Sequence, residues 1–330
     1  MVHHLDEIRN RIARLAAGSP RPVWIEDMTV FSTEHVTEPL GTVTEPVIAL
    51  VAQGAKRSVL NDRVFDYHSG QYLVATVDLP LTSRITDATP AEPFLGFGLP
   101  LQPAIIAQLL VEAGPTDVRP HDGPGIATSN ADEKLLDAVV RLLRLLDEPR
   151  DIPVLAPGIR REIHWRLLNG PQAALVRQIG LADSRMTLVA RATEWIKTHY
   201  DQVIRIDDLA REVGMSVSSL NRHFRAVTAM SPLQYQKQLR LQKARIQLIA
   251  ASHDVAAVGH AVGYDSPSQF SREYRRMFGA PPGQDAARLQ TAVIVQEQMF
   301  GHAASRRRAA PVRGTDQQGR QHRRLHEDPG

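Results

Sequence analysis

Residues 206–232, IDDLAREVGMSVSSLNRHFRAVTAMSP, and residues 255–282, VAAVGHAVGYDSPSQFSREYRRMFGAPP, decide the fold of the second half of this chain because they repeat one another. With one extra residue after the glycine of the second copy, the copies share a glycine, an arginine, a proline and four apolar positions. The aligned pairs are Gly214 and Gly263, Arg222 and Arg272, Pro232 and Pro282, Leu209 and Val258, Val213 and Val262, Leu220 and Phe270, and Phe224 and Tyr274. The chain therefore contains an internal repeat of about 50 residues.

Each copy has the pattern of a short helix, a turn and a second amphipathic helix. Aspartates that can cap a helix N-terminus stand at the start of the first helix, as Asp254 does in the second copy. Gly214 and Gly263 follow that helix, where a left-handed backbone is needed. The pattern predicts two helix-turn-helix motifs, at about Ile206 to Phe224 and Val255 to Phe278.

The second helix of each copy has an outward face suited to the major groove of DNA. Leu220, Phe224 and Val227 recur at i, i+4 and i+7, so this side of the first copy faces inward. The outward or flanking residues are Ser218, Ser219, Asn221, Arg222 and Arg225 in the first copy, and Pro267, Ser268, Gln269, Arg272 and Arg276 in the second. Arginine pairs with guanine there, and Asn or Gln with adenine. A solvated helix face carries similar residues, but two copies in register favour DNA binding.

Between the copies, residues 233–250, LQYQKQLRLQKARIQLIA, predict one long helix. A rigid connector of this kind holds the two outward faces at a fixed separation. The two helices can then enter successive major grooves, about 34 Å apart on one face of the duplex.

The segment from about Arg185 to Leu289 resembles the DNA-binding domain of the AraC/XylS family of bacterial regulators. The resemblance is most specific in AVGYDSPSQFSREYRRMFGAPP, residues 261–282. It implies base contacts from Ser218, Asn221 and Arg222 in the first motif, and from Pro267, Ser268 and Arg272 in the second. Pro267 departs from what a base contact needs, because its side chain supplies no donor.

Base reading by the second motif therefore falls to Ser268, Gln269 and Arg272, and the first motif is expected to carry more of the discrimination. The remaining arginines suit phosphates, which position a protein without reading sequence. The residues assigned to phosphates are Arg225, Arg275 and Arg276. Partners expected from the resemblance are double-stranded DNA, a second copy of the chain and, for an activator, RNA polymerase.

Charge divides the chain near residue 184. Residues 1–184 contain 17 Lys and Arg against 23 Asp and Glu, whereas residues 185–290 contain 15 against 9. A basic segment suits a polyanion such as DNA, although charge alone fits a solvated basic surface equally well. The Arg-rich stretch at the end has Gly, Gln and Pro between its charges, so residues 291–330 are expected to be a disordered basic tail.

Composition excludes several classes of protein. The chain has no cysteine, which rules out disulfides, thiolate zinc sites, cysteine nucleophiles and alkyl-transfer repair by a thiol. No apolar run reaches the ~20 residues of a membrane span, and residues 1–17 are too charged for a signal peptide. We expect a cytoplasmic protein without a membrane partner.

The first half shows β-rich runs separated by turn residues, at 23–31, 46–60, 63–68, 71–79, 81–88 and 93–101. Such strands predict a small barrel or sandwich. The order of these runs resembles the cupin-like barrel that often accompanies this DNA-binding domain, which covers residues 1–125 here as an effector-sensing domain. The predicted fold is α+β, with residues 126–184 as a helical linker and residues 185–290 as an all-α DNA-binding domain with two helix-turn-helix motifs.

A cupin site for a metal needs two histidines one residue apart and a nearby glutamate, whereas His35, His68 and His121 stand apart. No metal, cofactor or catalytic residue is predicted. A pocket inside the barrel is an alternative to ordinary core packing for the aromatic residues Trp24, Phe65, Tyr67, Tyr72, Phe94 and Phe97.

Residues 132–146 predict a helix with apolar positions at 135, 136, 139, 142, 143 and 146. This stripe can pack within the chain or pair with another copy, and we favour pairing because the family resemblance suggests it.

The leading hypothesis is a sequence-specific transcriptional regulator that responds to a small molecule in its N-terminal domain. In one alternative, the N-terminal domain is a protein-interaction module without a ligand. A cupin enzyme fused to a DNA-binding domain is the other, and it lacks the metal ligands.

Overall fold

The computed structural model describes residues 2–17, 23–25, 28–114, 121–181, 184–250 and 254–292. Of the predicted tail, residues 291 and 292 end the last helix, and residues 293–330 lie outside the described ranges.

Strands dominate the first half, in agreement with all six predicted β-rich runs. The elements are α1 (Val2–Ala16), β1 (Val23–Ile25), β2 (Met28–Thr33), β3 (Leu40–Thr44), β4 (Val47–Gln53), β5 (Ala55–Leu60), β6 (Arg63–His68), β7 (Gln71–Ala75), β8 (Leu79–Asp87), β9 (Phe94–Pro100), α2 (Pro103–Ala113) and β10 (Ile126–Asn130).

Helices form the second half. They are α3 (Glu133–Arg144), one 3-10 turn (Leu145–Asp147), α4 (Ile152–Leu168), α5 (Ala173–Arg177), α6 (Arg185–Thr198), α7 (Ile206–Glu212), α8 (Val217–Thr228), α9 (Pro232–Ala250), α10 (Val255–Ala261), α11 (Pro267–Phe278) and α12 (Pro282–Ala292). The long connector predicted at residues 233–250 is α9. In the described ranges, no helix is both long and apolar enough to cross a bilayer.

The strands form two antiparallel sheets. One has six strands in the order β1-β2-β9-β4-β7-β10, and the other has four in the order β3-β8-β5-β6. In β5, buried Lys56, Ser58 and Leu60 alternate with partly exposed residues, as expected for a strand with one face covered.

The α+β class is confirmed. Of the two arrangements that the strand pattern allowed, a barrel and a sandwich, the structure has the sandwich, and the strands do not close into a cupin-like barrel. Among the described strands, no ladder of hydrogen bonds joins the two sheets, so they form an open sandwich. Alternating apolar residues occur in barrels and sandwiches alike, whereas closure depends on pairing between edge strands. Strand β10 lies in the predicted linker, yet it pairs with β7 of the six-stranded sheet.

Helix α1 packs against the six-stranded sheet at β2, β4 and β9. Sequence reasoning considered this segment only as a possible leader and missed the helix. The spacing of Leu5, Ile8 and Ile12 is the signal that was available, since these positions share one helix face. Ile8 and Ile12 are fully buried.

The apolar stripe predicted to pair with another copy is buried within the chain. Five of its six members, Leu135, Leu136, Val139, Leu142 and Leu143, are at most 3% exposed, and α3 packs against α4 and α1. Pairing through this stripe is therefore wrong, and packing within the chain is correct. Periodicity identifies an apolar face without identifying what covers it. Dimerisation itself stays a prediction.

A single apolar core runs from the sheets into the first helix-turn-helix motif. It includes Tyr72, Val140, Leu220, Phe224 and Leu239. A separate small core, containing Val258, Phe270 and Tyr274, lies under the second motif. The first motif is therefore packed directly against the N-terminal half.

Candidate nucleic-acid interface

Helices α7 and α8 form the first helix-turn-helix motif, and α8 is its recognition helix. Gly214 lies in the turn between α7 and α8 and has a φ of +72°, a conformation that glycine adopts without strain. Ser216 caps α8 by accepting a hydrogen bond from the Ser219 N–H at 3.3 Å. Leu220 and Phe224 are fully buried, so the opposite side of α8 remains on the surface.

Helices α10 and α11 form the second motif, and α11 is its recognition helix. Gly263 has φ +90°, and Ser266 caps α11 by accepting from the Gln269 N–H at 3.4 Å. Pro267 is the first residue of α11, a position where the missing N–H has no intrahelical partner to lose. Pro267, which cannot donate a hydrogen bond to a base, therefore suits the start of the helix.

All nine residues predicted to contact DNA are exposed on the recognition helices. They are Ser218, Asn221, Arg222, Arg225, Ser268, Gln269, Arg272, Arg275 and Arg276. Within the described part of the chain, none of the five arginines forms an ion pair with a carboxylate. Exposed cations without an internal carboxylate are available to phosphates and base edges. The individual roles stay predictions.

The polar residues make short-range hydrogen bonds that DNA would have to replace. Asn221 donates from its side-chain amide to the Val217 carbonyl at 3.1 Å, and Gln269 lies 3.5 Å from Glu273. These bonds orient the amides in the free protein, so part of their pairing energy on DNA is offset.

His223 of α8 was not predicted and lies beside Arg222, which is predicted to contact bases. Its Nε2 is 3.4 Å from Nη2 of Arg222. Burial, with the nearby cations Arg222 and Arg185, lowers the pKa of His223, which favours the neutral ring at neutral pH. A histidine next to an arginine has no distinctive sequence pattern, so His223 could not be predicted from the sequence.

The connector helix α9 anchors the second recognition helix through a buried polar cluster. Arg245 of α9 donates to Asp285 of α12 at 2.8 Å, and Tyr274 of α11 donates its hydroxyl to the same carboxylate at 2.9 Å. Burial opposes ionisation of Asp285, but the hydrogen bonds from Arg245 and Arg288 outweigh it and lower its pKa. A charged, fully bonded cluster therefore fixes α11 on α9.

The first recognition helix is anchored differently, through the N-terminal half. Phe224 of α8 meets the ring of Tyr235 edge-on, with centroids 5.4 Å apart. Tyr235, which takes the position of Asp285 in the repeat, donates its hydroxyl to the Asp78 carbonyl at 3.0 Å. The Gly125 N–H donates to the Val227 carbonyl at 2.8 Å. Segments next to the β-sheets thus hold the first motif, which is the one expected to discriminate between bases.

A cavity of about 130 Å³ opens between the two sheets. Of the predicted aromatic residues, Tyr67, Phe94 and Phe97 line it, whereas Phe65 and Tyr72 do not. The side chain of Trp24 lies outside the described residues. Gly96 and Gly98 of β9 also line the cavity, and their lack of side chains leaves it open.

Sequence reasoning missed the polar residues of this cavity. Lys56, Ser58 and Ser83 lie on the inner face of the four-stranded sheet, and the Ser58 and Ser83 hydroxyls are 2.9 Å apart. Alternation in β5 was the available signal, because it places Lys56 and Ser58 on the same face as Leu60. In the described residues, no group of three or more His, Asp or Glu side chains is placed to hold a metal, and this includes His35, His68 and His121.

Known proteins share both halves of this structure. A family model for the AraC-type transcriptional regulator N-terminus matches residues 24–175, and a helix-turn-helix domain model matches residues 209–288. Regulatory protein SoxS of Salmonella typhimurium is 34% identical over 106 residues, which cover 99% of SoxS and 32% of this chain. The chain belongs to the AraC/XylS family of transcriptional regulators. The resemblance seen in the sequence is confirmed, and DNA binding through the paired motifs follows with it.

Longer relatives are matched over part of their length. The transcriptional activator RhaS of Salmonella agona is 26% identical over 188 residues, which are 55% of this chain and 66% of RhaS. The structure of ToxT from Vibrio cholerae bound to an unsaturated fatty acid aligns with a TM-score of 0.53 and 9% identity, over 78% of this chain and 93% of ToxT. At that identity, the likeness to ToxT shows a shared fold.

The two turn glycines allow a matched test of the motifs. A Cβ on Gly214 meets nothing within 4 Å, whereas a Cβ on Gly263 overlaps the carbonyl oxygen of Asp201. Gly214→Ala should cost only the left-handed backbone strain, about 1–2 kcal/mol of unfolding free energy. Gly263→Ala should cost clearly more, as measured by urea denaturation. Equal losses would show that the turn of the second motif is not held against Asp201.

Arginines on the recognition helices provide a test of base reading. Arg222→Ala and Arg272→Ala should each weaken a specific site by about 1–3 kcal/mol and leave non-specific binding mostly intact. The matched control, Arg225→Ala, should weaken all sequences alike and reduce the salt dependence of binding. Affinities come from titrating a genomic site and a scrambled site at several salt concentrations. Equal loss on both DNAs for Arg222→Ala would assign this residue to phosphates.

Proposed function

We propose that this AraC/XylS-family regulator binds a specific DNA site through α8 and α11 in successive major grooves, and that a small molecule in the sandwich cavity sets its DNA affinity. One observation carries the proposal. The buried side of the first motif is bonded to the same sheets that enclose the cavity, while its outward side stays exposed. A change in the cavity can therefore reach the DNA-reading surface through direct contacts.

Strand β3 is the first of these contacts. Val43 and Thr44 line the cavity, while Gly41 of the same strand lies against Gln242 of α9, where an added Cβ would meet the Gln242 amide nitrogen at 3.1 Å. Residues two and three positions apart in this short strand thus lie against the connector helix and against the cavity. Since strands move as units, a shift of β3 would displace α9.

An ion-pair cluster provides the second contact. Lys197 of α6 bonds to Asp78 at 2.8 Å and to Glu45, which lines the cavity, at 3.2 Å. Burial lowers the pKa of Lys197, but the carboxylates, Asp78 foremost, more than offset this and raise it above its ordinary value. Lys197 therefore stays charged at neutral pH, and it links the cavity mouth to α6, which packs on α8.

The solved structures of ToxT support a ligand in this fold. One is bound to an unsaturated fatty acid and another to a naphthalenyl butenoic acid. A ligand-binding role also accounts for the glycines in β9, because glycine weakens a strand and would not be favoured by the stability of the sheet alone. An interaction module without a ligand does not require an open cavity between its sheets.

A second copy of the chain and, for an activator, RNA polymerase complete the proposed partners. Because its proposed target is chromosomal DNA, we propose that the protein acts in the cytoplasm. The relatives are regulators, and we propose no enzymatic reaction for this chain.

The function is tested in two steps. Immunoprecipitation of bound genomic fragments should recover a shared sequence with two half-sites about one helical turn apart. Thermal melting of the full chain against a panel of metabolites should then reveal a stabilising compound that changes affinity for that sequence. Fragments without a common sequence would contradict specific binding, and binders that leave DNA affinity unchanged would contradict effector control.

Lys197→Met isolates the proposed link. The variant removes the cation that joins α6 to Asp78 and Glu45, so the effector should still bind while its influence on DNA affinity falls by at least half. Exposed Lys134 of α3 gives the control, Lys134→Met, which should respond to the effector as wild type does. DNA affinity with and without the effector is measured for all three proteins. An unchanged response in Lys197→Met would exclude this cluster as the route of coupling.

A further inference from the structure

An ion pair between the two halves of the chain lies beside the first recognition helix. Arg185, the first residue of α6, is bonded to Asp122, which lies just before β10, and α6 packs against α8. Burial, with the cations Arg222 and Arg185, lowers the pKa of His223 on α8. The Asp122 carboxylate raises the pKa of the same ring. Both members of the ion pair therefore lie near the side of α8 that carries Arg222.

Backbone hydrogen bonds hold Asp122 in this position. The Gly125 N–H donates to the Val227 carbonyl of α8 at 2.8 Å, and the Gly125 carbonyl accepts from the Thr76 N–H at 2.8 Å. Thr76 directly follows β7 of the six-stranded sheet. The segment that carries Asp122 is thus tied both to the recognition helix and to the N-terminal half, and it keeps a carboxylate next to the DNA-reading surface.

The Arg185–Asp122 pair is open to exchange. Its two side chains are 40% and 74% exposed, and exposed ion pairs contribute little to stability. A phosphate offers a guanidinium the same kind of charged oxygen acceptors as a carboxylate does. Arg185 begins the basic segment 185–290, whereas Asp122 belongs to the acidic residues 1–184. A DNA phosphate can therefore take the place of Asp122 on Arg185.

We propose that Arg185 is a further phosphate-binding residue of the DNA interface, and that Asp122 occupies its guanidinium in the free protein until DNA displaces it. The inference rests on the proposed function, because it adds a contact to the same DNA-binding surface. Arg185 is additional to the nine residues predicted to contact DNA. Its contact adds affinity on every sequence, since phosphates carry no sequence information. Asp122 subtracts from that affinity, because its bond to Arg185 must break and its charge repels the phosphates.

Binding of the full-length protein to a labelled duplex of scrambled sequence, followed by fluorescence anisotropy at several KCl concentrations, tests this assignment. Asp122→Asn should bind about two- to fivefold more tightly than wild type, the range expected when an exposed ion pair no longer has to be broken. The same substitution in an Arg185→Gln background should give a clearly smaller gain. Adding Arg185→Gln to Asp122→Asn should reduce the steepness of log affinity against log salt by about 0.9, the value for one phosphate contact.

Glu112→Gln provides the matched control. Glu112 of α2 is bonded to Arg161 of α4, so this substitution removes the same charge from another ion pair between exposed side chains. Helices α2 and α4 pack against each other and against α5. Since this pair is not placed beside a recognition helix, Glu112→Gln should bind the duplex as wild type does.

Three results would overturn the assignment: unchanged affinity of Asp122→Asn, an equal gain from Glu112→Gln, or a gain from Asp122→Asn that persists undiminished in the Arg185→Gln background. The last result would show that Asp122 acts by general repulsion. Repeating the titrations with a genomic site separates the two proposals. A wild-type protein without preference for the genomic site contradicts specific binding even where Asp122 and Arg185 behave as expected. A clear preference without any effect of Asp122→Asn supports the proposed function and removes this contact.

Discussion

A recognition helix has to bury one face within the protein and leave the opposite face uncovered for DNA. This structure meets that requirement twice, and the rest of the fold depends on how each helix is held. The second helix is secured by the Arg245–Asp285 pair of the helical domain, which is buried and bonded to Tyr274. The same cluster also touches the N-terminal half, where Arg245 donates to the Pro39 carbonyl at 3.2 Å. The first helix uses the ring of Tyr235, whose hydroxyl reaches the Asp78 carbonyl. A repeat that looks symmetric in sequence is therefore asymmetric in its supports. The second motif has its own small core, while the first belongs to the core of the sheets.

This asymmetry divides the work between the motifs. A helix fixed by a fully bonded ionic cluster holds one orientation, because breaking such a cluster exposes buried charge. A helix that rests on another part of the chain inherits any movement of that part. The motif with Asn221 and Arg222, which is expected to carry more of the base discrimination, is the one attached to the sheets. Under the proposed function, sequence discrimination and responsiveness would coincide in α8, and α11 would provide a second, more rigidly held contact with DNA.

Local patterns predicted the helical half well and the strand half only in part. The turn glycines, the capping Asp254 and the 3.6-residue periodicity are encoded within a few residues, so both motifs could be placed from sequence. Sheet closure could not be placed, because it depends on which distant strands pair. The short run LGTVT at residues 40–44 gave too little signal for β3. The stripe on α3 was recognised as apolar, but its cover, α1 and α4, comes from segments far away in sequence. In the cavity, some of the aromatic residues were predicted as a possible lining, whereas the polar residues Lys56, Ser58 and Ser83 were not.

Strand β9, FLGFGLP, shows how two demands can be kept apart within one strand. Leu95 and Leu99 are 2% exposed and contribute to the core, whereas Gly96 and Gly98 point to the other face and set the room in the cavity. Near Gly98 an added methyl would meet only ordinary van der Waals contact, 3.7 Å from Thr29. At Gly96 an added methyl would lie 3.0 Å from the Phe94 ring, which would have to shift. Related regulators could therefore acquire new effectors most easily by changes at Gly98 and keep the same scaffold. Chemical specificity would then diverge faster than the fold or the DNA-reading surface that it controls.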